Sequence, residues 1–193
     1  MAETLTPKKS SPLDGRPGPS AGITLVERPF VGKVDLRGDV ADAAFSRAAR
    51  GVLGVDLPTE PNTTVEAGAN VVFWLGPDEW LIHTPEDGQA GLTESLRAGL
   101  SGVHAAVTDV SDYSVVMRLA GPEARNVLAK GSPFDVHARV FAVGACAQTR
   151  FANASILLRL VDDEPTFDIQ VRWSFAPYFW DYLVDAAKEF ETS

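Results

Sequence analysis

The sequence predicts an α+β fold made of internally duplicated β-α-β-β-β-α units with mainly antiparallel sheets. Three observations carry this. The first is a strand–turn–helix module at Tyr113–His137. Val115, Met117 and Leu119 alternate with Val116, Arg118 and Ala120, Pro122 opens a helix, Ala124, Val127 and Leu128 form its apolar stripe, and Lys130-Gly131 closes it. The second is an echo about 80 positions earlier, where the strand pattern Val31–Gly38 runs into the helix pattern Val40–Gly54 with Ala44, Phe45, Ala48 and Val52 on one side. The third is that each module is followed by three short strand patterns and then a helix.

Taken in order, Met1–Gly22 is rich in Ser, Pro, Gly and Lys, without an apolar run behind Lys8-Lys9. It reads as a flexible tail, either solvated or ordering on a partner subunit. Residues 23–110 form the first α+β half. It opens with a short strand at Ile23–Val26, and the first module follows. Leu57–Asn70 is a polar, turn-rich stretch holding a strand at Thr63–Val65. Val71–Leu75 and Glu79–His83 are hairpin partners across Gly76-Pro77-Asp78. Gly88–Leu100 is a helix with Leu92, Leu96 and Leu100 at i+4 spacing, and His104–Val110 is a strand. Residues 111–193 form the second half: the second module, strands at Ala147–Phe151, Ser155–Val161 and Phe167–Arg172, and a last helix over Phe175–Phe190. The acidic Asp162-Asp163-Glu164-Pro165 is a solvated hairpin tip. The two halves are expected to pack as one compact unit.

Composition excludes several function classes. A net charge of −9 disfavours nonspecific binding to nucleic acid or to an anionic membrane. No apolar run approaches the roughly 20 residues that span a bilayer. One cysteine rules out an intrachain disulfide and a thiol-metal cluster, and the chain reads as cytoplasmic.

Catalytic patterns are sparse. His83, His104 and His137 sit at the ends of different strands with no short-range ligand pair, so they read as strand-edge histidines rather than a metal site. Cys146 lies in a strand, which lacks the elbow or helix N-terminus that would activate a nucleophile, and reads as a packed thiol. Ser132 lacks a Gly-x-Ser-x-Gly frame, and no glycine-rich phosphate loop is present. Asp109 and Asp112 are the two carboxylates that could do acid–base work, or could equally cap the elements after them. What stands out is aromatic: Trp173–Tyr182 holds six aromatic residues. On a helix from Phe175, positions Phe175, Phe179 and Tyr182 share one face while Tyr178 and Trp180 point elsewhere. The second face is either internal or needs cover from the other half or from another protein.

Two stretches carry a family resemblance. Leu75–Ile82 (LGPDEWLI) resembles the hairpin of the glycine-cleavage aminomethyltransferase superfamily, which is built on the same doubled unit. Asp109–Asp112 (DVSD), Leu119–Arg125 (LAGPEAR), Leu128–Gly131 (LAKG), Asp135 with His137, Ala147–Thr149 (AQT), and Ser174–Ala176 with Tyr178, Trp180-Asp181 and Leu183 resemble, in order and spacing, the γ subunit of heterotetrameric sarcosine oxidase. This chain departs from the family's Lys-Gly-Cys-Pro at Ser132, and from its Arg or Tyr at Trp173. These departures leave open which N-methyl amino acid is the substrate.

The resemblance implies an aminomethyltransferase-like, folate-binding-domain-like fold. It also implies a place in a flavin-dependent complex that oxidatively demethylates sarcosine to glycine, releasing hydrogen peroxide and a one-carbon unit that tetrahydrofolate accepts. It implies α, β and δ partner subunits, with FAD, covalent FMN and NAD on the large subunits and zinc on δ. This chain would then carry no catalytic, cofactor or metal residues. It would dock on the α subunit, with Trp173, Tyr178, Phe179 and Trp180 as candidate interface residues. The rival is a stand-alone folate-binding one-carbon transferase, with tetrahydrofolate in the groove of the doubled domain against Asp109 or Asp112.

Overall fold

The computed structural model describes residues 8–19 and 22–190. Two five-stranded antiparallel sheets lie against each other, each with helices on its outer face. The first contains β2 (Gly32–Gly38), β3 (Thr64–Ala67), β4 (Asn70–Gly76), β5 (Glu79–Thr84) and β6 (Ala105–Asp109), in the order β3-β4-β5-β2-β6. The second contains β1 (Thr24–Arg28), β7 (Ser114–Ala120), β8 (Cys146–Phe151), β9 (Ala154–Asp162) and β10 (Thr166–Arg172), in the order β1-β7-β10-β9-β8. Helices α1 (Ala43–Leu53) and α2 (Gly88–Gly99) cover the first sheet; α3 (Ala124–Ala129) and α4 (Ala176–Ala187) cover the second.

The period-2 alternation of the strands explains the layering. On β2, Val34 and Leu36 are buried with Phe45 and Ala49 of α1, Leu96 of α2, and Trp80 and Ile82 of β5. Met117, Leu119, Phe167 and Ile169 do the same in the second sheet against Val127, Leu128, Phe179 and Leu183. Between the sheets a smaller apolar cluster of Phe73, Leu81, Cys146 and Leu157 forms the contact. The Cys146 N–H donates across it to the Asn62 carbonyl at 2.8 Å.

Helix ends follow local chemistry. Asp42 caps α1, accepting from the Ala44 N–H at 2.8 Å, and Gly54 ends it at φ 77°. Gly131 was expected to end α3 in the same way, but its role is different. A Cβ there would lie 2.5 Å from the Phe151 ring, so the glycine is required by a close approach. The helix expected over 175–190 is α4 flanked by 3-10 turns at Trp173–Phe175 and Lys188–Phe190.

The first strand corrects the expected assignment of residues 23–28 to the first half. β1 leads directly into β2 but pairs along β7, with Thr24 opposite Ala120 and Arg28 opposite Val116. β6 leads into β7 but pairs along β2, with Ala105 opposite Gly38 and Asp109 opposite Val34. Counted from their leading strands, the repeats run from β1 to α2 and from β6 to α4, so the boundary lies before β6 rather than at residue 110, and the two repeats exchange their first strands reciprocally. For β1 the reason is visible: Leu25 enters the second core, and Arg28 reaches buried Asp168 at 2.7 Å, which Arg118 also holds at 2.8 and 3.0 Å. Where the two connections cross, the ammonium of Lys33, 2% exposed, donates to the carbonyls of Val31, Ser111 and Ser114 at 2.8, 3.1 and 3.0 Å.

The N-terminal stretch is a second correction. Its residues 1–7 and 20–21 lie outside the described residues, but 8–19 form a strap across both halves. Lys9 pairs with Glu86 and Asp87 at 2.9 and 2.7 Å. Leu13, 4% exposed, joins the second core. Arg16 pairs with Asp181 at 2.6 Å, and the Trp180 indole donates to the Pro17 carbonyl at 2.9 Å. The exposed ion pairs contribute little; the burial of Leu13 contributes most. Leu13→Ala should therefore cost about 2–3 kcal/mol in urea unfolding. A change within about 0.5 kcal/mol, as for a solvated surface position, would return this segment to the status of a free tail.

Candidate functional site

The aromatic run divides into a covered and an uncovered part. Phe179 is fully buried, edge-on to Phe151 with ring centroids 5.1 Å apart, and Tyr182 packs on the same ring at 5.0 Å. Trp180 is 4% exposed beneath the strap. These positions correct two of the four expected interface residues: Phe179 and Trp180 belong to this chain's own core, because the strap supplies the cover that Trp180 needs. Trp173 and Tyr178 are each 39% exposed, as is Phe175 between them. Tyr113 continues the surface, with the Arg172 guanidinium 5.9 Å from its ring centre, and a shallow concavity joins Tyr113, Arg172 and Trp173. Three partly exposed aromatics thus stand on the 3-10 turn and first turn of α4, with Trp173 adjoining Tyr113 and Arg172.

A polar cleft of about 530 Å³ opens between the sheets. Its lining includes Asp35, Glu79, Tyr113, Gln148, Gln170 and Arg172. Gln170 Oε1 lies 2.6 Å from His83 Nε2, and Gln170 Nε2 donates to the Tyr113 hydroxyl at 3.0 Å. This chain of contacts runs from the buried interior to the exposed aromatic face. His83 is thus an interior residue of β5, between β4 and β2, rather than a strand-edge histidine. Burial pushes its imidazole down to about 3, with the Gln170 contact opposing. Asp35 is pushed up from the usual carboxylate range, first by burial and then by Glu79.

The remaining candidates scatter. Asp109 Oδ1 accepts from the Ser111 N–H at 2.9 Å and the Ser111 hydroxyl at 2.6 Å, so it caps the turn after β6. Asp112 is exposed, and neither carboxylate lines the cleft between the sheets. His104, just before β6, and His137, in the loop between α3 and β8, are exposed and far apart in sequence. Cys146 is buried, and burial raises its thiol to about 11, which suits packing rather than nucleophilic attack. Ser132 Oγ accepts from the Phe134 N–H at 3.2 Å within its turn. Among the described residues no cluster of His, Cys, Asp and Glu could hold a metal ion, and no helix is long and apolar enough to cross a membrane. The cleft offers hydrogen-bonding and charged groups, but no serine or cysteine nucleophile beside a base. Sequence reasoning missed Asp35 and Gln170. Each sits on the polar-alternating side of its strand, Lys33-Asp35-Arg37 on β2 and Asp168-Gln170-Arg172 on β10, which alternation alone reads as solvent-facing.

Residues 37–189 match the family model described as "Sarcosine oxidase, gamma subunit family". The sarcosine oxidase subunit gamma of an Arthrobacter sp. is 35% identical over 175 residues, covering 90% of this chain and 84% of that protein. The subunit of the same name from Corynebacterium sp. (strain P-1) is 36% identical over 177 residues, with 90% and 84% covered. Among solved structures, a chain of the heterotetrameric sarcosine oxidase from Corynebacterium sp. U-96, in complex with pyrrole 2-carboxylate, aligns with a TM-score of 0.83 and 30% identity, over 91% of this chain and 90% of that one. The glycine cleavage system aminomethyltransferase T from Bartonella henselae aligns with a TM-score of 0.65 and 15% identity, over 85% of this chain and 46% of its own. That likeness is one of fold, and it places the doubled α+β architecture among aminomethyltransferase-like folds.

The His83 environment sets a pH dependence. The unfolded chain takes up a proton near pH 6.5, while the native imidazole stays neutral to about 3. Stability therefore falls as pH falls through that window, by up to about 1.4 kcal/mol per pH unit. The stability of the native protein relative to His83→Gln should fall by roughly that slope between about pH 6 and pH 4 in chemical denaturation. A difference that stays constant over this range would mean that His83 is solvated.

Proposed function

The chain belongs to the sarcosine oxidase, gamma subunit family, and on that premise we propose that it is the non-catalytic γ subunit of a heterotetrameric, flavin-dependent sarcosine oxidase. In this reading the complex oxidatively demethylates sarcosine to glycine and forms hydrogen peroxide, and a one-carbon unit passes to tetrahydrofolate. The α, β and δ subunits are the partners, and FAD, FMN, NAD, zinc and tetrahydrofolate reside on them. The assembly works in the cytoplasm. This chain's part is to dock on the α subunit and stabilise it.

The observation that carries this reading is the partly exposed aromatic face. Trp173, Phe175 and Tyr178 remain about 39% exposed while the rest of the same aromatic run is buried. Aromatic side chains bring large contact area at little conformational cost, and they are enriched at protein interfaces. The neighbouring Arg172 adds a cation that can be shared with a partner's carboxylate or aromatic ring. The rival transferase reading relied on Asp109 or Asp112 facing a ligand in the central groove, and both lie outside it.

The test is co-purification of the other oxidase subunits with the tagged chain. Trp173→Ala combined with Tyr178→Ala should weaken capture at least tenfold, as expected for interface aromatics, and leave the isolated chain folded. Trp180→Ala should instead destabilise the isolated chain by about 3–5 kcal/mol. Unchanged capture by the double variant would move the interface elsewhere on the surface. Absence of any oxidase subunit from the native capture, together with saturable micromolar binding of tetrahydrofolate to the isolated chain, would replace this reading with the transferase.

A further inference from the structure

The cleft between the sheets has walls of opposite charge. The first-sheet wall carries Asp35 on β2 and Glu79 on β5. Asp35 stands opposite Leu81 in the ladder, so Glu79 is its diagonal neighbour on the same face. The second-sheet wall carries Arg150 on β8 and Arg172 on β10. Arg150 stands opposite Ser155 of β9, and Val171 stands opposite Ile156, so the two arginines flank Ser155 on one row of the sheet. Leu75, Leu81 and Ile156 add apolar surface to the same cleft.

These opposite charges do not meet. The Asp35 side chain makes no hydrogen bond or ion pair among the described residues; its Oδ1 is covered without a partner, and Oδ2 is the oxygen left to the cleft. Burial raises its pKa, with Glu79 adding to the rise and Arg37 opposing it; neither arginine of the facing wall contributes. On that wall, Arg150 reaches the Ala152 carbonyl at 3.5 Å and Arg172 lies against the Tyr113 ring. Neither has a carboxylate partner among the described residues. A half-buried carboxylate without a donor costs free energy, and a molecule that fills the gap with the matching charge recovers it.

The two walls narrow the ligand. An anion alone is attracted by the arginines and repelled by Asp35 and Glu79; a cation alone meets the reverse. A molecule with one charge of each sign satisfies both walls. The guanidinium fork suits a carboxylate, and its long stem gives reach across the cleft. Asp35, an acceptor, suits an ammonium. The cleft volume of about 530 Å³ is that of a small-molecule site, and its apolar residues ask for an apolar body beside the charges. We propose that this cleft binds a small zwitterion, an α-amino acid with an apolar side chain, its ammonium donating to Asp35 and its carboxylate accepting from Arg150 in the field of Arg172. The proposal is independent of which subunits the chain docks to.

The experiment is calorimetric titration of the full chain, near neutral pH, with L-leucine and with its two charge-deleted analogues, isocaproate without the amine and isoamylamine without the carboxylate. Leucine should saturate, and each analogue should bind at least about tenfold more weakly, because one wall is left unmet. Asp35→Asn should weaken leucine about tenfold without weakening isocaproate, and Arg150→Gln should weaken leucine about tenfold without weakening isoamylamine. Arg150 is exposed, so its variant keeps the fold; Asp35→Asn should unfold at or above the native temperature, because an unpartnered carboxylate has been neutralised. The proposal is overturned if leucine does not saturate below about 10 mM, the weak end of measurable association. It is equally overturned if either analogue binds as tightly as leucine, or if either variant binds leucine as tightly as the native chain.

Discussion

The structure depends on the clasp formed by Lys33. Its ammonium joins the carbonyl of Val31, in the connection from β1 to β2, to the carbonyls of Ser111 and Ser114, around the connection from β6 to β7. Backbone hydrogen bonds reinforce the same point: Val110 donates to the Lys33 carbonyl at 2.9 Å, and the Lys33 N–H donates to Ser111 Oγ at 3.0 Å. Two chain segments that cross inside a protein cannot satisfy each other's carbonyls by a regular ladder, because their directions differ. A tripodal donor can, and lysine is the side chain that supplies one. The desolvation of that charge is the accompanying cost.

The crossing in turn makes the duplication cooperative. Each sheet takes its β1 or β6 edge from the other repeat, so neither repeat, β1 to α2 or β6 to α4, contains a complete sheet of its own. Antiparallel pairing makes the exchange geometrically simple, because β1 can lie along β7 as β6 lies along β2 in matching register. The inner faces then meet with a mixed surface. Phe73, Leu81, Cys146 and Leu157 exclude water, while His83 and Gln170 satisfy one another across the boundary. A buried polar pair of this kind favours one register of the two sheets over sliding alternatives, since a slip would leave both groups unpaired.

The local pattern of the chain was largely legible. Alternation located the strands, the helix pattern over Val40–Gly54 contains α1, and the acidic hairpin between β9 and β10 follows from Asp162, whose Oδ1 accepts from the Glu164 and Thr166 N–H groups at 3.1 Å each. Pairing was not legible for β1, because a period of two says which face of a strand is buried and is silent on which edge receives it. The strap was hidden by composition: a single leucine among Ser, Pro, Gly and Lys gives no periodicity, yet one apolar anchor and one carbonyl for Trp180 are enough to seat it. The cleft residues were hidden by distance, since the partner of His83 lies 87 positions away.

Cover for the aromatic helix shows how these levels join. One face of α4 packs on the second sheet, as helical spacing requires. Trp180 leaves that face and would stand in solvent, but Pro17 and Leu13 arrive from the other end of the chain and close over this side. Cover stops there: the strap turns away toward Lys9 and its ion pairs on the first half, leaving Trp173, Phe175 and Tyr178 at the surface. Had these three aromatics served only the stability of the chain, the same strap could have been seated over them in place of Trp180. Their exposure beside Tyr113 and Arg172 is what makes this the surface on which we propose that another chain docks.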